Sequence, residues 1–222
     1  FINYYKYKTK IKSLKLSKKD IVIIANYQPE ATSFPIGKEN NNHLDLVYKL
    51  RTLGFDQKIY YKEHHDTQHY FLKIIQNTRV GSARSKKYLK LLENMNVEFL
   101  PFNLNINSDY FNNVIPITIS GTIAIERSLK GLKTVVAGEA WYKSMPGIIL
   151  FNKIKKKEDL IKLNIKKNNV IKSKTVKFLK KQLNNKAIIN APGLGMLEKQ
   201  YDHESIQEYR TNIKRLMKIH SK

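Results

Sequence analysis

Patterns typical of buried strands alternate along this chain with patterns typical of helices. Runs of β-branched and aromatic residues predict strands near 21–25, 58–62, 97–100, 115–119 and 134–137. Apolar residues at helical spacing predict one helix over 43–53, which Gly54 ends, and another over 86–95. Such alternation is typical of βαβ units, so it predicts an α/β fold with a parallel sheet and helices on both of its faces.

Residues 117–136 form the most informative stretch, because a strand, a turn, a short helix and a second strand follow one another there. The turn contains Ser120, Gly121 and Thr122. Free N–H groups and the helix dipole favour an anion such as a phosphate at this point. Glu126 lies four residues after Thr122, on the same helical face, where it can accept hydrogen bonds from ribose hydroxyls. An ordinary crossover turn explains these residues about equally well.

Polar loops follow four of the predicted strands. They span 28–33, 63–66, 120–122 and 138–142. Because ligands of parallel sheets bind at the carboxyl ends of the strands, the four loops together predict a binding site at one edge of the sheet.

The chain divides by composition into three parts. Residues 1–20 form a basic linker or edge segment, 21–150 form the α/β domain, and 151–222 form a basic helical extension that we expect to pack on that domain. The opening residues resemble the middle of a protein, so we expect the sequence to be a fragment.

Charge and cysteine content restrict the function further. The chain has 222 residues, a formal net charge of +23 and no cysteine, which excludes disulfides and thiolate metal sites. Lysine, asparagine and isoleucine are abundant and arginine is scarce, as expected of a chain encoded by AT-rich DNA. This bias in composition explains most of the lysines. The remaining charge favours anionic partners.

Four motifs occur in an order that resembles one known family. They are Tyr27-Gln28-Pro29-Glu30-Ala31-Thr32, Tyr61-Lys62-Glu63-His64, Ile119-Ser120-Gly121-Thr122 with Glu126, and Gly138-Glu139-Ala140-Trp141-Tyr142. Over about 21–150 the chain is similar to the capsule polysaccharide biosynthesis family, which includes bacterial Kdo transferases. The resemblance implies a Rossmann-like, donor-binding half of a GT-B glycosyltransferase, with the other half preceding Phe1.

The resemblance also implies a substrate and a set of roles. The donor is a CMP-activated acidic sugar such as CMP-Kdo, and neither a cofactor nor a metal is needed to bind it. His64 stabilises the departing phosphate, which is chemistry that histidine can supply. The family usually has His-Pro where this chain has His64-His65, and we assign the function to His64.

Other residues near the predicted edge suit the same reaction. Lys62 can add positive charge near the phosphate, although a strand lysine is more often simply solvated. Ser120, Gly121 and Thr122 can cradle the phosphate or carboxylate. Glu30 can act as a base or hold a sugar hydroxyl, and a loop carboxylate that caps a backbone group is an equal alternative.

The family implies partners and a location as well. The acceptor is a glycolipid or polysaccharide, and the protein is cytoplasmic. The lysines of the basic extension suit a membrane-surface or polymer-binding face, with peripheral contact to the anionic inner face of the membrane as one expectation. A solvated lysine surface is the simpler explanation of the basic extension.

Three alternatives remain open at this point. His64, His65, Asp66 and His69 are close enough in sequence to suggest a zinc site. The charge and the tyrosines suit a nucleic-acid-binding module, although no recognisable motif of that class is present. The chain can also be a sugar-nucleotide-binding protein without turnover.

Overall fold

The computed structural model describes residues 16–17, 19–26, 37, 40, 42–64, 85–106, 108, 111–163 and 165–184. The strands in these ranges are β1 (Ile21–Ile24), β2 (Ile59–Lys62), β3 (Val97–Leu100), β4 (Ile115–Thr118), β5 (Thr134–Val136) and β6 (Ile148–Leu150). The helices are α1 (His43–Thr52), α2 (Lys86–Asn94), α3 (Ile123–Leu129), α4 (Lys157–Ile161) and α5 (Asn169–Asn184), and a 3-10 turn, Phe151–Lys153, follows β6.

The six strands form one sheet in the order β3-β2-β1-β4-β5-β6, and every neighbouring pair is parallel. Ile21 of β1 lies between Ile59 of β2 and Ile115 of β4. Successive connections run in one direction from β1 to β3 and in the other from β4 to β6. The order therefore reverses between β1 and β4, which is the point where α/β sheets of this kind bind ligands.

The predicted α/β fold with a parallel sheet is confirmed, and its five predicted strands agree with the structure to within one residue at each end. The helix over 43–53 ends at Thr52, and the helix over 86–95 ends at Asn94. Both begin at polar caps: Asn42 Oδ1 accepts from the Leu44 N–H at 2.9 Å, and Ser85 Oγ accepts from the Tyr88 N–H at 3.1 Å. Apolar residues at helical spacing also predict helices near 70–75 and 204–219, and both stretches lie outside the described residues.

Side chains of the central strands alternate between two buried layers. Ile21 and Ile23 of β1 belong to the layer that contains Leu50 of α1 and Leu89 of α2. Val22 and Ile24 belong to the opposite layer, with Ile123 of α3. Because consecutive strand residues point to opposite faces, helices cover both sides of the sheet, as predicted.

The described segments after residue 150 share this core. Leu160 of α4 and Ile165 are buried in the layer of α1 and α2. Phe178 of α5 packs on the other side, in the cluster that contains Val136. Residues 1–185 form one compact unit, and a second unit, 186–222, lies outside the described ranges. The domain boundaries at residues 20 and 150 stay predictions.

A glycine lies at the contact between α3 and α5. Gly147 has a φ of +84°, and a Cβ atom at this position would lie 2.7 Å from Ser128 Oγ of α3 and 3.0 Å from Ile171 Cγ2 of α5. Ser128 Oγ is also 2.9 Å from Thr175 Oγ1 of α5. The two helices therefore meet over a backbone that leaves no space for a side chain.

Candidate functional site

The carboxyl ends of β1 and β4 are joined by side chains. Asn26, just beyond β1, donates from Nδ2 to Ser120 Oγ at 3.0 Å. Its Oδ1 accepts from Thr118 Oγ1 of β4 at 3.1 Å. All three residues are buried. This Asn26–Ser120 bridge lies where the strand order reverses, so polar groups occupy the predicted binding edge at its centre.

Sequence reasoning missed two members of this bridge. Asn26 precedes the polar loop 28–33 that the sequence predicts, and Thr118 falls inside the predicted strand 115–119. One signal does identify Asn26, because it is the first polar residue after the apolar run 21–25. Thr118 carries no comparable signal, since threonine is common in ordinary strands.

The turn between β4 and α3 is fixed from two sides. The Gly121 N–H donates to Thr118 Oγ1 at 3.2 Å, and the Tyr142 hydroxyl donates to the Gly121 carbonyl at 2.7 Å. A Cβ atom at Gly121 would lie 2.7 Å from Thr118 Oγ1, so the turn requires a glycine at this position. Burial raises the pKa of the Tyr142 phenol, which therefore stays a proton donor to this carbonyl.

Thr122 and Glu126 lie one helical turn apart at the start of α3. The Glu126 N–H donates to the Thr122 carbonyl at 3.1 Å. Both residues are exposed, and the Thr122 side chain makes no capping hydrogen bond. A hydroxyl and a carboxylate thus lie on one face of α3, next to the turn that contains Ser120 and Gly121.

Lys62 is buried at the end of β2, whereas a lysine in a strand is more often exposed to solvent. Its Nζ donates to the carbonyl oxygens of Glu63 at 2.9 Å and Phe102 at 2.8 Å. Loss of hydration lowers the pKa of Lys62 to about 8, against an opposing effect of the Glu63 charge. The amine therefore ties the end of β2 to the segment that follows β3.

Glu63 holds the backbone at His64. Its Oε1 accepts from the His64 N–H at 2.7 Å, and its Oε2 accepts from the Tyr61 hydroxyl at 3.2 Å. Glu63 is buried and His64 is half-buried. A buried carboxylate thus fixes the position from which the His64 side chain leaves the main chain. The sequence places Glu63 in a polar loop and in one of the four motifs, but it does not predict this role.

The loop after β5 reaches the same edge. The N–H groups of Ala137 and Gly138 donate to the carbonyl oxygens of Thr118 and Ile119 at 2.9 and 2.7 Å. Asn40 Nδ2 donates to the Ala137 carbonyl at 2.8 Å. Segments that follow β1, β2, β4 and β5 therefore all lie at the carboxyl edge of the sheet, where their polar groups can act on one ligand.

Part of the predicted site lies outside the described residues. Glu30 is in this group, and so are His65, Asp66 and His69 of the alternative zinc site. Within the described ranges, no three histidine or acidic residues are grouped closely enough to hold a metal ion. No helix in the same ranges is both long enough and apolar enough to cross a membrane.

Comparisons with models of protein families, with curated proteins and with solved structures find no match to this chain. The resemblance to the capsule polysaccharide biosynthesis family is therefore carried by the four sequence motifs. It stays a hypothesis, and the α/β sheet with its polar edge is the part that the structure establishes.

Proposed function

We propose that this chain is the donor-binding half of a bacterial glycosyltransferase that builds a capsular or other surface polysaccharide. The observation that carries the proposal is the Asn26–Ser120 bridge, which concentrates buried polar groups at the reversal of strand order. Ligands of doubly wound sheets bind at this place. The choice of a CMP-activated acidic sugar, such as CMP-Kdo, follows from the resemblance of the motifs around it.

In this proposal the turn at Ser120, Gly121 and Thr122 receives the phosphate of the donor. The turn is already held by Thr118 and Tyr142, so little reorganisation accompanies binding. Glu126, one helical turn further, accepts hydrogen bonds from the ribose hydroxyls. The turn and the Glu126 carboxylate are therefore two separate contacts. A nucleotide requires both, because its phosphate needs hydrogen-bond donors and its ribose hydroxyls need an acceptor.

His64 assists the chemical step in the same proposal. As the bond between the sugar and the phosphate oxygen breaks, negative charge develops on the departing CMP, and His64 donates a hydrogen bond or a proton to it. Glu63 fixes the His64 main chain through the 2.7 Å bond from its N–H. Lys62 adds positive charge behind this strand end, and Glu30 is the candidate for the base or for a contact with a sugar hydroxyl.

The remaining roles follow from the same resemblance. The acceptor is a glycolipid or polysaccharide, the donor site needs no metal, and the protein works in the cytoplasm at the inner face of the membrane. The lysine-rich surface gives such a protein attraction to anionic lipid.

Calorimetry with CMP, UMP, AMP and GMP tests the proposal. We expect weak binding that is tightest for CMP, and we expect Ser120→Ala to weaken CMP binding because one contact of the phosphate and the link to Asn26 are lost. Ser173→Ala is the matched control, since Ser173 is exposed on α5 and bonds only locally, to the Val170 carbonyl. Equal affinity for all four nucleotides would remove the assignment of a cytidine donor.

A further inference from the structure

Trp141 is the single tryptophan of the 222-residue chain, and its side chain is 62% exposed. It lies in the loop after β5, at the same edge of the sheet as the Asn26–Ser120 bridge. Its neighbours Ala140 and Tyr142 are both buried. The chain thus turns its largest aromatic side chain outward while it anchors the residues on either side.

The loop that carries Trp141 is firmly held. The Lys143 N–H donates to the Ala140 carbonyl at 3.0 Å, and the Met145 N–H donates to the Tyr142 carbonyl at 2.9 Å. Lys143 also forms an ion pair with Glu139 at 2.6 Å, which spans Trp141. Ala140, Tyr142 and Met145 are packed in one cluster with Val136 of β5. The indole is therefore presented at a defined position.

Trp141 is also connected to the turn between β4 and α3. Its ring meets the Tyr142 ring edge to face, with centroids 5.5 Å apart and an interplanar angle of 83°. The Tyr142 hydroxyl in turn donates to the Gly121 carbonyl at 2.7 Å. One aromatic ring thus separates the exposed indole from the turn that receives the phosphate in the proposed function.

We propose that the exposed face of Trp141 stacks on the base of the bound nucleotide. The proposal rests on the proposed function, because it takes the position of the phosphate from it. Stacking on an aromatic ring stabilises any base, since every base has a π face. Trp141 therefore supplies affinity for the nucleoside and leaves the preference for cytosine to hydrogen-bonding groups elsewhere.

Fluorescence tests the stack directly, because all tryptophan emission of this protein comes from Trp141. We expect CMP and UMP each to change the emission in proportion to their binding. Ribose 5-phosphate and inorganic phosphate, which have no base, should leave it unchanged. An equal change with ribose 5-phosphate, or CMP binding in calorimetry without any change in emission, would overturn the stack.

Variants provide a second test by calorimetry. Trp141→Ala should weaken CMP and UMP binding alike, by about 5- to 150-fold, the range that corresponds to loss of one base–aromatic stack. Trp141→Phe should retain most of the affinity. Tyr48→Ala is the matched control, because Tyr48 is an aromatic residue of α1 that is 64% exposed and lies with α1 on the other face of the sheet.

The outcomes separate this proposal from the proposed function. If the wild type binds all four nucleotides equally and Trp141→Ala weakens each of them, the cytidine donor fails and the stack stands. If CMP is preferred and Trp141→Ala binds it as tightly as the wild type, the stack fails and the donor assignment stands. If no nucleotide binds, both proposals fail.

Discussion

Lys62 places an amine where its positive charge is only partly compensated. Two carbonyl oxygens accept from Nζ, and the side chain is otherwise buried at the end of β2. The ordinary pKa of 10.5 falls to about 8, mainly because burial removes hydration from the charged form. The charged amine therefore destabilises the folded protein relative to an amine in water.

This shift predicts a dependence of stability on pH. Between pH 8 and 10.5 the unfolded chain binds more protons at Lys62 than the folded protein does, so the free energy of unfolding rises with pH in this window. The full rise from this residue is about 3 kcal/mol. Urea unfolding at pH 7, 8, 9 and 10 should show it as a growing difference between the wild type and Lys62→Met, in which no amine titrates.

Lys58→Met is the control for this experiment. Lys58 is exposed at the entrance to β2, and its pKa is raised by the hydrogen bond and charge of Glu98. The contribution of Lys58 to the free energy of unfolding is therefore nearly constant up to about pH 10. The difference in this free energy between the wild type and Lys58→Met should not change with pH over this range. A flat difference for Lys62→Met as well would show that the amine keeps its ordinary pKa.

The sequence predicts the positions of some site residues and not of others. Ser120, Gly121, Thr122 and Glu126 lie together at the predicted turn because their spacing is local and helical geometry fixes it. The burial of Lys62 could not be predicted in this way. Its second acceptor is the Phe102 carbonyl, 40 residues away, and pairing of β2 with β3 brings it there. Contacts across strands have no local pattern in the sequence.

Helices α3 and α5 pack closely against each other beside Gly147. Gly147 precedes β6, and its positive φ would be strained for any residue with a Cβ atom. The same Cβ atom would collide with Ser128 of α3. Local backbone conformation and helix packing therefore both require the glycine, and the two effects can be separated by experiment.

Gly147→Ala and Gly54→Ala make a matched pair for this purpose. Both glycines have a φ of +84°, but a Cβ atom at Gly54 would meet nothing within 4 Å. We expect Gly54→Ala to lower the free energy of unfolding by about 1 kcal/mol, from backbone strain alone. Gly147→Ala should lower the free energy of unfolding by about 1 to 3 kcal/mol more, because its methyl group overpacks the contact between the helices.

Urea denaturation of both variants at one pH measures this difference. Similar losses would mean that α3 and α5 move apart easily, and that the short distances at Gly147 do not limit their packing. The Ser128–Thr175 contact of 2.9 Å argues against such freedom, because it would be lost in the same movement.

The elements themselves were the most predictable part of the chain. Buried strands such as Ile21–Ile24 are continuous apolar runs, and the helices begin at Asn42 and Ser85, whose side chains cap them. β6 was not predicted as a strand, because its three residues are only partly buried and a run of that length is ambiguous. The strand order was not predicted either, since pairing between distant strands is not encoded locally.

The whole molecule carries a formal charge of +23, from 41 basic and 18 acidic residues. Such an excess attracts any polyanion, whether or not a specific site exists. Binding to nucleic acid at low salt is therefore expected of this protein and does not by itself support a nucleic-acid-binding function.

Salt dependence distinguishes attraction from recognition. We expect the affinity for a duplex or single-stranded oligonucleotide to fall by orders of magnitude between about 50 and about 200 mM salt, because several counterions are released on binding. CMP carries one phosphate, so its affinity should change far less over the same range. Fluorescence anisotropy of a labelled oligonucleotide measures the first effect. Tight oligonucleotide binding at the higher salt concentration would favour the nucleic-acid-binding alternative.

The Asn26–Ser120 bridge has a further consequence for the lifetime of the folded state. The two residues are 94 positions apart, and the loop between them must close before β1 can pair with β4. Long-range parallel pairing of this kind forms slowly. A ligand that binds there must leave before β1 and β4 separate. Its occupancy should therefore delay unfolding without accelerating folding, and a saturated protein should outlast the empty one under protease attack.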